Sequence, residues 1–120
     1  MATRSFIGKV QEDGTIKALY CHYDGYPEGV GLKLVNHFKD EETEELLNGK
    51  DIRSLEIGGG DEFDDGQEAR TFKTIAEYVN TASDSWAQYV YLYQNGVWSC
   101  YSANTGMEIN LNEVEQETNL

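Results

Sequence analysis

The sequence has no long apolar run. No stretch of it approaches the roughly 20 consecutive apolar residues of a membrane helix, and its N-terminus, Met1–Phe6, carries no apolar core of the kind that a signal peptide has. Cysteine is also scarce, because Cys21 and Cys100 are far too few for a disulfide scaffold. We therefore expect a cytoplasmic protein with two free thiols.

Positively charged residues are also few. The 120 residues contain 22 Asp and Glu against 9 Lys and Arg, which gives a formal net charge of −13. Residues 1–60 carry −4 and residues 61–120 carry −9, with no Lys or Arg after Lys73. Proteins that bind nucleic-acid phosphates do so with clustered Lys and Arg, so the composition argues against direct nucleic-acid binding. It favours a protein partner with a basic surface, bound through the C-terminal half.

Aromatic residues, by contrast, are plentiful. The chain has 8 Tyr, 4 Phe and 2 Trp, and 39% of its residues are hydrophobic. Each buried ring removes a large area from water, so this content suffices for a hydrophobic core without disulfides or structural metals. We predict a single domain over residues 1–120, whose acidic C-terminal segment, about residues 105–120, is frayed.

The first of two predicted β-hairpins lies near the N-terminus. Glu12-Asp13-Gly14 joins the strand-like runs Ser5–Gln11 and Thr15–Tyr23. The Asp-Gly step suits a turn that needs positive φ, which is the usual signal of a short hairpin loop.

The second hairpin joins Tyr89–Gln94 to Val97–Tyr101 through Asn95-Gly96, the residues that a type I′ turn favours. Paired residues share a face of the sheet, so a two-residue loop sorts the side chains into two sets. One face carries Tyr89, Tyr91, Tyr93, Trp98 and Cys100, and the other carries Val90, Leu92, Val97 and Tyr101. We expect the aliphatic face to form core and the aromatic face to be covered by a helix or offered to a partner.

Helices are predicted between and after the hairpins. Apolar residues recur at helical spacing over Gly31–Lys39, and Asp40 is placed to cap a second helix over Glu41–Leu47. A capping box at Thr74 predicts a third helix through Val79, and Asn110–Glu113 predicts the start of a last one.

The segment Gly58–Gly66 has the composition of a loop and is predicted to be the most mobile internal part of the chain. It lacks the ligand spacing of an EF-hand and the Lys-Ser or Lys-Thr of a phosphate-binding loop. We predict that its acids, Asp61, Glu62, Asp64 and Asp65, contribute to a surface for a basic partner. A compact anionic domain can also mimic the charge of duplex DNA, although acidity serves solubility as well.

The segment Tyr20–Gly31 concentrates unusual residues. Cys21 stands beside His22, but neighbours on a strand point to opposite faces, so His22 is poorly placed to activate the thiol. His22, Asp24 and Glu28 could supply metal ligands but follow no ligand motif, and a hydrogen-bonding role in the following turn is the simpler interpretation. A catalytic or ligand site built from Cys21, His22, Asp24 and Tyr26 is kept as the alternative function.

The aromatic face of the second hairpin is similar in composition to the stacking platforms that bind single-stranded nucleic acid. Those platforms are flanked by basic side chains, whereas these flanks are neutral or acidic. We therefore predict Tyr89, Tyr91, Tyr93 and Trp98 as a protein-contact surface, with at least half of these rings packed in the core.

The sequence Ile16–Pro27, continued through Gly29–Leu34, resembles a group of small phage and prophage proteins. In that group an Asp-Gly hairpin leads into a Tyr-Cys-His-aromatic-Asp-Gly-Tyr-Pro segment and a helix, and the Asn95-Gly96 hairpin also fits. The resemblance spans about residues 3–38 and 86–101 and brings no activity or site residues with it. It implies a protein in the cytoplasm of a host cell, where small phage proteins often bind and redirect the host's machinery.

Together these patterns predict an α+β domain, with an antiparallel sheet made of two β-hairpins and three to four short helices packed on one face. The expected function is that of a small acidic accessory protein that binds a protein with a basic surface. It would act on host or phage machinery as an inhibitor or nucleic-acid mimic and not as an enzyme. We expect no cofactor, no metal and no membrane contact.

Overall fold

The computed structural model describes residues 2–111, which form one eight-stranded mixed sheet with helices against both of its faces. The strands are β1 (Ser5–Val10), β2 (Ile16–Cys21), β3 (Ile52–Glu56), β4 (Gly59–Glu62), β5 (Arg70–Phe72), β6 (Tyr89–Gln94), β7 (Val97–Ser102) and β8 (Glu108–Ile109). The helices are α1 (Leu32–His37), which follows a π-helical turn over Pro27–Gly31, α2 (Asp40–Leu47) and α3 (Ile75–Asp84). Within residues 2–111 no helix has the length and apolarity needed to span a membrane.

Both predicted hairpins are confirmed. β1 pairs with β2 from Ser5 opposite Cys21 to Val10 opposite Ile16, and Gly14 in the connecting turn has φ +87°. β6 pairs with β7 in the predicted register, because Asn95 and Gly96 both adopt the positive φ that a type I′ turn requires.

The sheet is mixed, which corrects the prediction of an antiparallel one. β1 pairs in parallel with β6, and β2 pairs in parallel with β3, in the order β4-β3-β2-β1-β6-β7-β8. The two hairpins therefore join through their first strands, and the chain between β2 and β3 crosses over through α1 and α2. Turn residues specify which strands form a hairpin but not which hairpin edges meet, so local sequence did not reveal this pairing.

Two hydrophobic cores lie on the two faces of the sheet, because successive strand residues point to opposite sides. One core packs Ile7, Leu19 and Tyr91 against residues of α1 and α2, and the other packs Phe6 and Val90 with α3. The helices thus cover both faces, and the prediction that all of them pack on one face is wrong.

The helix predictions hold with changes at two ends. α1 lies inside Gly31–Lys39, but α2 begins at Asp40 itself, and the Glu42 carboxylate accepts the Lys39 backbone N–H at 3.0 Å. Asp40 is therefore the first helical residue and not the cap. Thr74 caps α3 as predicted, since its hydroxyl accepts the Glu77 N–H at 3.1 Å, and α3 continues beyond Val79.

Part of the predicted mobile loop Gly58–Gly66 is a strand, β4, paired with β3. A Cβ at Gly60 would lie 2.6 Å from the Ile52 side chain, so glycine permits a close approach that a larger residue would block. The same glycines that suggested a loop therefore bring two strands together.

The C-terminal end of the described chain belongs to the sheet. β8 pairs with β7, and Leu111 is buried in the core with α1 and α2. Only the first part of the segment predicted to fray is therefore described, and it is paired. The rest of that segment and the helix predicted to continue through Glu113 lie outside the described residues.

The outer edge of β2 is shared by two strands. β5 pairs with residues Ile16–Ala18, and β3 meets β2 at Cys21. In the gap between them, Asp51 accepts the Tyr20 N–H at 3.0 Å and both arms of the Arg70 guanidinium at 2.9 and 2.8 Å. Asp51 is buried, and this ion pair ties β5 and the start of β3 to the middle of the sheet.

Replacing Asp51 with alanine should destabilise the fold strongly. Asp51→Ala leaves the Arg70 charge and the Tyr20 N–H without their acceptor, so we expect a loss of about 3 kcal/mol in the free energy of unfolding, measured with denaturant. The control is Asp61→Ala, which removes the exposed partner of Arg53 at 3.7 Å and should cost less than about 1 kcal/mol. Equal, small losses for the two variants would contradict the role given to Asp51.

Candidate functional site

Negative charge is concentrated on one part of the fold. Residues 40–68 contain 12 Asp and Glu and 2 Lys and Arg, so this segment alone carries −10 of the net −13. It comprises α2, β3, β4 and the turn that follows. The exposed acids that we call the acidic face are Asp40, Glu41, Glu42, Glu45, Asp61, Glu62, Asp64 and Asp65. The four acids that the sequence predicted for binding are all among them.

Contacts around Glu62 join the two parts of the acidic face. The Glu62 carboxylate accepts the Lys50 backbone N–H at 2.9 Å, immediately after the end of α2. It also fills the space that a side chain at Gly49 would need, so glycine allows α2 and β4 to lie side by side. The acidic helix α2 and the acidic strand β4, which are distant along the chain, are thereby adjacent in the fold.

Few of these carboxylates are neutralised. The segment 40–68 contributes Glu44, Asp51 and Asp61 to ion pairs, with Lys9, Arg70 and Arg53 respectively. In the part of the chain that the structure describes, the other acids of the segment have no cationic side chain within 4 Å. The acidic face therefore presents net negative charge to solvent.

A broad groove adjoins the N-terminal end of α2. It has a volume of about 1430 Å³ and lies between α2 and the turns of the two hairpins, with Asp40, Glu44 and Lys9 in its lining. Lys9 is bound to Glu44 at 2.7 Å. The groove gives the acidic face a broad, open concave end that a side chain from a partner can contact.

The concentration of acids in residues 40–68 crosses the midpoint of the sequence, so it is not visible in the net charges of the two halves. The second half has the larger net negative charge, yet four of the eight acids of the acidic face lie before residue 60. The acidic face is therefore not confined to the C-terminal half, as the charges of the halves had predicted. A running count over about 30 residues would have located it, whereas the adjacency of α2 and β4 required the fold.

The aromatic face of the β6–β7 hairpin is covered, which is the first of the two alternatives considered for it. Tyr91, Tyr93 and Trp98 are 0%, 2% and 8% exposed, and the Trp98 indole N–H donates to the Phe38 carbonyl oxygen at 2.8 Å. Tyr89 packs partly buried against the same core. These rings do not form a contact surface in this fold, which corrects the prediction of a partner-binding site there.

Cys21 and His22 occupy different environments. The Cys21 thiol is fully buried and donates to the Tyr23 carbonyl oxygen at 3.4 Å, and burial raises the pKa of Cys21 to about 11. The His22 ring instead lies 2.7 Å from the Tyr20 hydroxyl through Nδ1. A neutral, buried thiol lacks the thiolate character that a nucleophile needs.

Asp24 and Tyr26 belong to the turn after β2. Asp24 has φ +58°, and the exposed Tyr26 hydroxyl donates to its carboxylate at 3.3 Å. The Asp24 carbonyl accepts the Val30 N–H at 2.9 Å, which helps to hold the π-helical turn. Among residues 2–111 no three His, Cys, Asp or Glu side chains gather in a way that could hold a metal ion, so His22, Asp24 and Glu28 do not form one site.

Comparisons with known proteins add no relative. No family model matches the chain, no curated protein matches it, and no solved structure matches its fold. A function must therefore be supported by the chemistry of the chain itself, and the acidic face is its most distinctive exposed feature.

The burial of Cys21 predicts an unreactive thiol. In a Cys100→Ala background, alkylation of Cys21 by iodoacetamide near neutral pH should be at least roughly a hundredfold slower in the folded protein than in denaturant. The rise in pKa from 9.0 to about 11 reduces the thiolate fraction by about that factor. Mass spectrometry of timed samples gives both rates, and comparable rates would show an accessible, reactive thiol.

Proposed function

We propose that this chain is a small acidic accessory protein that acts by binding a protein with a basic surface through its acidic face. The observation that carries the proposal is the concentration of acids in residues 40–68, eight of which are the exposed acids of the acidic face. The resemblance of Ile16–Pro27 to small phage proteins supports a partner in host or phage machinery.

Electrostatics favours this type of association. A surface with charge of one sign attracts an oppositely charged partner over about 8–10 Å at physiological ionic strength and raises the rate of productive encounter. Because most acids of the acidic face lack an internal cationic partner, they are available to pair with Lys and Arg of another protein.

One version of this function is competition with nucleic acid. A protein surface that binds phosphates is basic, and the exposed carboxylates of α2 and β4 offer it an alternative anionic ligand. The chain would then act as an inhibitor that occupies a nucleic-acid-binding surface. Catalysis or ligand binding by Cys21, His22, Asp24 and Tyr26 has less support, because the thiol is buried and His22 bonds Tyr20.

The proposal is tested by neutralising the acidic face. The variant Glu41→Gln/Glu45→Gln/Asp64→Asn/Asp65→Asn removes four exposed charges. Partners are first captured from bacterial lysate on the immobilised wild-type chain and identified, and the affinity of each purified partner is then measured. With about 0.5 kcal/mol per exposed charge pair, we expect the variant to bind the specific partner roughly thirtyfold more weakly.

The matched control removes four exposed charges elsewhere, as Glu28→Gln/Glu77→Gln/Asp84→Asn/Glu108→Gln. Two of its positions lie on α3, across the sheet from α2. We expect the control to bind within about twofold of the wild type, and raising the salt concentration to weaken the wild type and the control alike. Equal binding by the neutralised variant and the control, or binding insensitive to salt, would overturn the proposal.

A further inference from the structure

All three arginines of this acidic chain, Arg4, Arg53 and Arg70, lie on the sheet face that also carries α3. Arg70 stacks on Phe6, a residue of that face, with its guanidinium carbon 5.5 Å from the ring centroid. Arg4 is two residues before Phe6 and so shares its face, and its charge opposes the rise that burial causes in the pKa of Tyr20. Arg53 stands over the Phe63 ring, which lies beside His22, and His22 follows Tyr20 of this face by two residues.

Aromatic rings connect these arginines. The Tyr20 ring lies 5.7 Å from Phe6 and 6.0 Å from His22, and His22 lies 6.1 Å from Phe63. The Arg53 guanidinium carbon stands 4.9 Å over the Phe63 ring. Extending the β1–β2 register by one residue also places Arg4 opposite His22. We call Arg4, Tyr20, His22, Arg53 and Phe63 the arginine–aromatic patch.

The patch is open to solvent. α3 packs on β5 and β6, away from the β3–β4 end of the sheet, and all five patch residues are partly exposed. Tyr23 borders the patch with its ring 4.6 Å from His22, and it is 48% exposed. A planar group can therefore reach the edge or face of several rings.

The three arginines differ in how many hydrogen-bond and ion-pair partners their guanidinium groups have. Arg70 is engaged by Asp51 and by Gln67, and Arg53 donates to the Glu62 carbonyl oxygen at 3.0 Å and faces Asp61. Arg4 has no ion pair with another described residue, and its Nε is buried without an acceptor. Its guanidinium charge has no carboxylate partner among the described residues, so Arg4 is the arginine most available to an anion.

We propose that the arginine–aromatic patch binds a nucleoside monophosphate, with the phosphate on Arg4 and the base stacked on the exposed Tyr23 ring beside His22. The guanidinium plane matches two phosphate oxygens, and aromatic side chains stack on any base. One free arginine beside one exposed ring suits a single nucleotide. A longer nucleic-acid strand would need further cations for its other phosphates, and Arg53 and Arg70 are already paired with Asp61 and Asp51.

The proposal is tested by titrating the full chain with AMP at about 50 mM salt and following the His22 and tyrosine ring signals by NMR. We expect saturable shifts for AMP, with adenosine and inorganic phosphate each bound at least about tenfold more weakly, because each lacks half of the contacts. Arg4→Gln should weaken AMP binding by about tenfold or more. Tyr23→Leu, at an exposed position that tolerates change, should weaken it by about fivefold or more.

Lys73→Gln is the matched control, because it removes one exposed positive charge far from the patch. Lys73 follows Phe72, and Phe72 pairs with Ile16, which is at the opposite end of β2 from His22. It should leave AMP binding within about twofold of the wild type, and thermal unfolding should show that all variants are folded. Absence of saturation up to about 10 mM AMP, or equal binding by Arg4→Gln and Lys73→Gln, would overturn the proposal. Tighter binding of a single-stranded oligonucleotide than of AMP would overturn it as well.

Discussion

The ion pair between the buried Asp51 carboxylate and the partly exposed Arg70 guanidinium holds the sheet together where β3 and β5 share the outer edge of β2. β3 shares a single paired position with β2, Cys21 opposite Ile52, and beyond the end of β2 the His22 and Tyr23 N–H groups donate to carbonyl oxygens of β3. Asp51 extends this attachment by accepting the Tyr20 N–H, and Arg70 joins β5 to the same carboxylate while stacking on Phe6 of β1. Because β4 and its acids depend on the position of β3, this one interaction also positions much of the acidic face.

The fold places negative and positive side chains on different surfaces, whereas the composition gives only their net charge. At the β3–β4 end of the sheet, the acidic face and the arginine–aromatic patch are neighbours, and the exposed pair Arg53–Asp61 lies at their boundary. Screening limits the influence of each surface to about 10 Å, so adjacent regions can attract ligands of opposite sign. A net charge of −13 is therefore compatible with a basic protein partner at one surface and a small anion at the other.

The buried tyrosines and tryptophan show that much of the aromatic content of the chain is used in the hydrophobic core. Tyr78 donates to the Tyr91 carbonyl oxygen at 2.8 Å, and Tyr91 donates to the Gly25 carbonyl oxygen at 2.6 Å. Trp98 similarly reaches Phe38 across 60 residues of sequence. Each ring fills core volume while its polar end satisfies a backbone carbonyl in a loop or strand, so the aromatic content of the second hairpin serves assembly of the fold.

Local sequence determined the two hairpins, the register through Asn95-Gly96 and the start of α3 at Thr74, because turn geometry and helix capping act within a few residues. Tertiary structure alone decided that the first strands of the hairpins pair in parallel, that helices cover both faces, and that Gly59–Glu62 is a strand. It also decided where the site residues lie: the acids of α2 and β4 meet, the aromatic face is enclosed, and Arg4, Arg53 and Arg70 share one face. These outcomes depend on contacts between residues far apart in the chain, whose free energy is set by packing and burial and is not encoded in any short segment.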